Sequence, residues 1–128
     1  RKEAAFVGIY EASVADLYFP YIRPQENGYR TENRWLQLTD GQGNGFKILG
    51  LPEFSFSAHH NYTADFDPGT LKAQLHTTDI KPRDLISLHI DYKQTGVGGD
   101  NSWGAKPLEK YQLKPQDYEF SFIIKPLE

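Results

Sequence analysis

Three stretches of the chain alternate apolar and polar residues with period two, the pattern of a strand that turns one face to a core and the other to water. Over 118–125, Tyr118, Phe120, Phe122 and Ile124 share one side while Glu119, Ser121 and Lys125 take the other, with Ile123 out of step. Ile86, Leu88, Ile90 and Tyr92 alternate with Ser87, His89, Asp91 and Lys93, and Phe54, Phe56 and Ala58 alternate with Ser55, Ser57 and His59. The stretches 35–39, 46–49 and 109–113 are less regular but strand-like, and Lys-Pro-Gln-Asp at 114–117 is a turn leading into the last strand. One helix is expected, over 68–75: Asp67 suits its N-cap, Pro68 its first position, and Leu71 and Leu75 lie one turn apart. The stretch 18–34 holds two prolines and three tyrosines and reads as an ordered irregular loop. Together the pieces predict an all-β fold, an antiparallel β-sandwich of two sheets face to face, in one domain spanning 1–128.

Composition narrows the function classes. The 128 residues are 38% hydrophobic and 24% charged, ordinary for a single core. Fourteen Lys+Arg against 17 Asp+Glu give a net charge of -3, which argues against a nucleic-acid partner because such proteins cluster positive charge. With no cysteine, neither a disulfide framework nor a thiolate metal site can form. No apolar run approaches the roughly 20 residues a membrane span needs, so no membrane association is expected. The sequence opens at Arg1 and has no methionine, and it reads as a piece of a longer polypeptide whose targeting segment, if any, lies upstream.

The first candidate for chemistry is GVGGDNSWG, residues 96–104. A phosphate-binding loop needs a lysine and a hydroxyl residue directly after its last glycine, and Ala105, Lys106 and Pro107 follow here, so a nucleotide site is excluded. The segment reads instead as a long hairpin loop whose Asp100, Asn101 and Ser102 can bond its own backbone. Trp103 then has two readings. It packs against its own domain, or its flat indole is a platform for the C–H face of a sugar ring.

His59 and His60 are adjacent on a strand and point to opposite faces, which argues against a shared metal ion, and His76 and His89 read as structural. No serine sits on a strained elbow beside a base. Glycoside hydrolysis needs two carboxylates roughly 5 to 10 Å apart, and nothing in the spacing of Glu26, Asp65, Asp79 and Asp100 pairs any two of them. In YFPYIRPQENG, residues 18–28, Arg23, Glu26 and Asn27 interleave with tyrosines as a sugar-binding surface would; alternatively the prolines stiffen a connection that Arg23 and Glu26 tie to the core.

Two strings, YFPYIRPQENGYRTENRW near the front and LHIDYKQTGVGGDNSWG near the end, resemble the C-terminal domain of the large β-galactosidases of glycoside hydrolase family 2. The resemblance runs from about residue 8 to 127. It implies a large β-sandwich of the galactose-mutarotase-like supersandwich type, of which this chain is a partial copy because the family's domain is longer. It further implies a TIM-barrel catalytic domain in the same polypeptide that carries both catalytic glutamates of a retaining mechanism, so the present chain alone has no catalytic residue and no glycosidase activity. The implied substrate is a terminal β-D-galactoside such as lactose. Trp103 then lines the aglycone side of the active site, on a loop shaped by Asp100, Asn101 and Ser102. No cofactor or metal is implied in this domain, magnesium and sodium being left to other domains, and the full enzyme is expected to be bacterial, cytoplasmic or periplasmic, and open to homo-oligomerisation. Two rival readings remain: an independent carbohydrate-binding module using Arg23, Glu26 and Asn27, and a purely structural or subunit-contact domain.

Overall fold

The computed structural model describes residues 2–20, 27–67, 69–70, 76–96 and 104–127. Among these residues four strands form one sheet: β1 (Arg30–Thr39), β2 (Gly45–His59), β3 (Ser87–Asp91) and β4 (Ser121–Pro126). β2 is central, antiparallel to β1 and to β4, with β3 as a further neighbour. Among the described residues the helical pieces are short: α1 (Val14–Leu17), α2 (Thr63–Phe66) and 3₁₀ turns at Lys2–Ala4, Thr77–Asp79 and Glu109–Tyr111. The chain is thus an all-β, sandwich-like domain built on open antiparallel sheet, as the alternation predicts. Its residues group into two compact units, Arg1–Tyr29 with Ser57–His89, and Arg30–Phe56 with Ile90–Glu128.

In the second unit, β1 and β2 are joined by the turn 40–44. Asp40 holds it by accepting hydrogen bonds from the Gln42 and Asn44 amides at 2.8 and 3.0 Å and from the Asn44 side chain at 3.0 Å. Those donors keep the Asp40 carboxyl below the ordinary carboxylate range, the Asn44 side chain contributing most. The ladder pairs Trp35 with Leu49 and then Asn33 with Phe54, so β2 bulges through 50–53 where β1 spends a single residue. Asn33 bridges the shift by donating to the carbonyls of Arg30 (2.9 Å) and Phe54 (3.2 Å), and Glu32 beside it takes φ 57°.

The core shows where alternation succeeds and where it misleads. Phe54, Phe56 and Ala58 are buried as expected, but so are Ser55 and His59 on the other side of the strand. The last strand differs more. It spans Ser121–Pro126, and Tyr118, Phe122 and Ile124 are 46%, 37% and 59% exposed. Alternation assigns residues to a side; it does not supply the layer that covers them. Tyr92, Tyr118, Phe120 and Phe122 instead touch in series, with ring centroids 5.4–5.8 Å apart.

Three boundaries change. Residues 46–49 and 54–58 belong to the single strand β2, 109–113 contains a 3₁₀ turn rather than a strand, and 30–34 belongs to β1 rather than to the preceding loop. The expected helix 68–75 lies outside the described residues apart from 69 and 70. Asp67, expected as its N-cap, follows α2, and its carboxylate accepts from the Gly69 amide at 3.3 Å.

Candidate functional site

The motif at 18–28 is fixed at both ends. Asn27 is 5% exposed; its Oδ1 accepts from the Phe19 amide at 3.0 Å and its Nδ2 donates to the Phe19 carbonyl at 2.9 Å. The carboxamide thus gives Phe19 what a neighbouring strand would give it, and closes the segment between them. Because a carbonyl only accepts, the 2.7 Å contact between His59 Nε2 and the Asn27 backbone oxygen fixes the proton on Nε2. Tyr18 stacks on Phe66 at 6.2 Å, and the His59 ring meets both in T-shaped contacts.

Gly28 completes this anchor. At φ +63° a Cβ would stand 2.6 Å from the Leu17 carbonyl oxygen and 3.0 Å from His59 Cε1, so glycine at 28 is required by both conformation and space. His59 escaped the sequence reading as a partner of this segment. The Asn-Gly dipeptide is the signal that marks the turn, but nothing in the linear pattern reaches from residue 27 to 59. Arg23 and Glu26 lie outside the described residues.

The loop bearing the sugar-platform candidate is likewise described at its stems. The Gly96 amide donates to the Tyr111 carbonyl at 2.9 Å, and a Cβ at Gly96 would meet Tyr111 Cβ at 3.1 Å, so glycine permits this close approach. On the returning side, Gly104 has φ +104° and Gln112 Nε2 donates to the Pro107 carbonyl at 2.6 Å. The 3₁₀ turn Glu109–Tyr111 is therefore what receives the start of the loop. Asp100, Asn101, Ser102 and Trp103 lie outside the described residues.

Of the candidate carboxylates, Asp65 and Asp79 both serve local structure. Arg83 forks onto Asp65, Nε to Oδ2 at 2.7 Å and Nη2 to Oδ1 at 2.6 Å, and Asp65 also accepts from the Tyr62 amide at 2.9 Å. Asp79 accepts from the His76 amide at 2.8 Å. Asp65, Asp79 and Arg83, with Ile80, Lys81 and Pro82, line a recess of ≈ 340 Å³. Nearby, Asn61 Nδ2 donates to the Lys81 carbonyl at 2.7 Å and His60 Nδ1 donates to the Leu85 carbonyl at 2.7 Å. His59 and His60 thus serve separate backbone partners. Among the described residues no group of three His, Cys, Asp or Glu gathers as a metal site, and no helix is long and apolar enough to cross a membrane. Glu26 and Asp100 lie outside the described residues.

The Arg83 guanidinium, chiefly through its hydrogen bonds, holds the Asp65 carboxyl below the ordinary carboxylate range, and Asp65 raises Arg83 in return. A folded value below the unfolded one means that the pair's contribution is complete above the unfolded carboxylate value and is lost as pH falls through the folded value. Asp65→Asn is therefore expected to lower Tm near neutrality by about 2–4 °C, the scale of an exposed forked ion pair, and to match the parent chain in strong acid. Thermal melts across pH check this; a deficit unchanged down to pH 2 contradicts it.

The family model described as "Beta galactosidase small chain" matches residues 1–124. The β-galactosidase of Priestia megaterium is 38% identical over 128 residues, covering 99% of this chain and 12% of that protein. The Streptococcus thermophilus β-galactosidase is 34% identical over 99% of this chain and 12% of that protein. The Pseudoalteromonas haloplanktis β-galactosidase is 33% identical over 97% and 11%. The chain therefore spans about 12% of the length of these curated relatives. With nearly every residue of the chain inside the match, including the strings 18–35 and 88–104, it belongs to the β-galactosidase small-chain family.

Proposed function

We propose that this chain is the non-catalytic C-terminal β-sandwich part of a retaining β-galactosidase acting on terminal β-D-galactosides such as lactose, and that it contributes Trp103 to the aglycone side of the active site. The observation that carries this reading is the match of 99% of the chain to proteins of which it forms 12%. The two carboxylates of a retaining hydrolysis, one acid/base and one nucleophile, belong in this reading to a barrel domain of the same polypeptide.

The described geometry supports the loop's part in it. Both stems of 96–104 are held, at Gly96 by Tyr111 and beyond Gly104 by Gln112, so the residues between them start from fixed ends. Asp100, Asn101 and Ser102 shape the loop, and the Trp103 indole stacks on the aglycone ring. Stacking of this kind acts on bound substrate and transition state about equally, so it lowers KM without raising kcat. A second contact to sugar is proposed at 18–28, where the Asn27 clamp on Phe19 brackets Arg23 and Glu26 between fixed ends.

In the full-length enzyme, Trp103→Ala is expected to raise KM for lactose about tenfold, with kcat changed less, since an aromatic platform contributes on the order of 1 kcal/mol beyond its buried area. Lactose kinetics that stay unaltered while stability drops would make the loop structural and sink the reading. Following the first-formed galactose anomer by NMR checks retention in the same preparation.

A further inference from the structure

The sequence holds two Asn-Gly pairs, at 27–28 and 44–45. An asparagine followed by glycine is open to attack by its neighbour's backbone nitrogen on its own carboxamide, because glycine has no side chain to hinder the approach. Space forces glycine at both places. A Cβ at Gly28 meets the Leu17 carbonyl oxygen, and one at Gly45 would stand 2.0 Å from the Leu38 carbonyl oxygen and 2.9 Å from Thr39 Cα. The fold therefore imposes the reactive neighbour on both asparagines, and their surroundings decide which one reacts.

Those surroundings are opposite. Asn27 is 5% exposed, its carboxamide is held at Oδ1 and at Nδ2 by the Phe19 backbone, and its carbonyl oxygen accepts from His59. Attack there must break this clamp and let water into the gap behind it. Asn44 lies exposed in the turn between β1 and β2, its Nδ2 bonded to the carboxylate of Asp40, itself exposed. A Cβ at Gly41 or Gly43 would meet no described atom within 4 Å, so the turn has open space around it and two glycines to absorb a change of backbone angle.

We propose that Asn44 is a site of spontaneous deamidation in the folded protein, with water as its co-reactant, and that Asn27 is kept inert by its clamp. The Gly45 backbone nitrogen gives up its proton and bonds to Asn44 Cγ; the Cγ–Nδ2 bond breaks, and Nδ2 takes up a proton and leaves as ammonia. Water then opens the cyclic imide, its hydroxyl going to one carbonyl carbon and its hydrogen to the nitrogen. Opening at Cγ gives aspartate at 44; opening at the backbone carbon gives isoaspartate, with the main chain rerouted through the side chain. Aspartate sets a carboxylate where Nδ2 now donates to Asp40 at 3.0 Å. Isoaspartate inserts an extra backbone carbon between the Asn44 amide, which donates to Asp40 Oδ1 at 3.0 Å, and the Asn44 carbonyl, which accepts from the Asp40 amide at 2.9 Å. Either product loosens the turn. The proposal is independent of the role of Trp103.

The two pairs fall on different tryptic peptides, separated by Arg30 and Arg34, so one digest follows both. The full-length enzyme is aged in warm, mildly alkaline buffer, folded and in guanidinium chloride, and conversion at each asparagine is read by fragment mass spectrometry. Relative to the denatured chain, folding is expected to slow Asn44 by no more than about fivefold and Asn27 by at least about tenfold, as burial behind a clamp that rarely opens does. Slowing of Asn44 beyond about fivefold, or of Asn27 by less than about tenfold, overturns the proposal. Hydrogen exchange over 40–46 is expected to be faster in aged than in fresh folded enzyme, and exchange that stays the same at full conversion overturns the loosening of the turn.

Discussion

Phe54→Ala is expected to cost the chain about 3–5 kcal/mol, the usual range for deleting a fully buried phenylalanine ring. Phe54 is 0% exposed and its ring lies 6.4 Å from that of Phe56. It also sits directly after the 50–53 bulge, where its carbonyl accepts from Asn33 and its backbone pairs with that residue. Losing the ring therefore opens a cavity beside the place where β2 regains its register with β1, and the strand has little freedom to collapse into the gap. Phe122→Ala is the matched control. The side chain is 37% exposed on β4, so about 1–2 kcal/mol is expected from the partial loss of buried area and of the Phe120 contact. Urea midpoints of the two variants, measured together, test the ranking. Equal losses would show that the sheet is covered at Phe122 as well as at Phe54.

The alternation alone treats the two strands alike, and the reason they differ is physical. Period-two alternation is a statement about directions, and 118–125 obeys it well enough that Phe122 and Ile124 do share a face. Whether a face is buried depends on a second layer, and the partner layer for this strand is not written in its own residues. The reverse error occurs at 54–59. Serine at 55 and histidine at 59 read as outward-facing because both are polar, yet they are 3% and 7% exposed. His59 tolerates burial because it donates to a backbone carbonyl, a pairing invisible in the local pattern.

The strands were the legible part of the fold, since β1, β2, β3 and β4 each contain a stretch with apolar alternation or strand-like composition. Merging 46–49 with 54–58 was not, because Pro52 and the bulge look like an interruption. The small helical turns were not legible, because four-residue turns are too short for any apolar period to show; the Ser13 cap, whose Oγ accepts from the Asp16 amide at 3.2 Å, precedes one of them. For the site, two long strings identified the family where spacing identified no chemistry. Single motifs such as Gly-Gly or Asn-Gly constrain a backbone; an extended string constrains a whole local surface.

Asn27→Ala is expected to destabilise the chain by about 2–4 kcal/mol, because it strips both a donor and an acceptor from the Phe19 backbone in a half-buried setting. The two bonds, 3.0 Å from the Phe19 amide and 2.9 Å to its carbonyl, come from one carboxamide, so no smaller side chain replaces them singly. Asn27→Asp separates geometry from packing. A carboxylate still accepts from the Phe19 amide but sets a second charged oxygen against the Phe19 carbonyl, so near neutrality this variant should be at least as unstable as alanine. Protonation converts the repelled oxygen into a donor. As pH falls through the carboxyl's value, raised by its partly buried site and the facing carbonyl, Asn27→Asp should regain part of the loss while Asn27→Ala does not. Urea titrations at pH 7 and pH 4 make the comparison, and two variants that track each other at both values would mean that the Phe19 clamp is not what holds the segment. In the full-length enzyme the same pair tests the proposed sugar contact at 18–28. If that segment only supports the fold, lactose KM stays level once stability is restored by working at lower temperature; if Arg23 and Glu26 meet the sugar, KM rises in both variants while kcat holds.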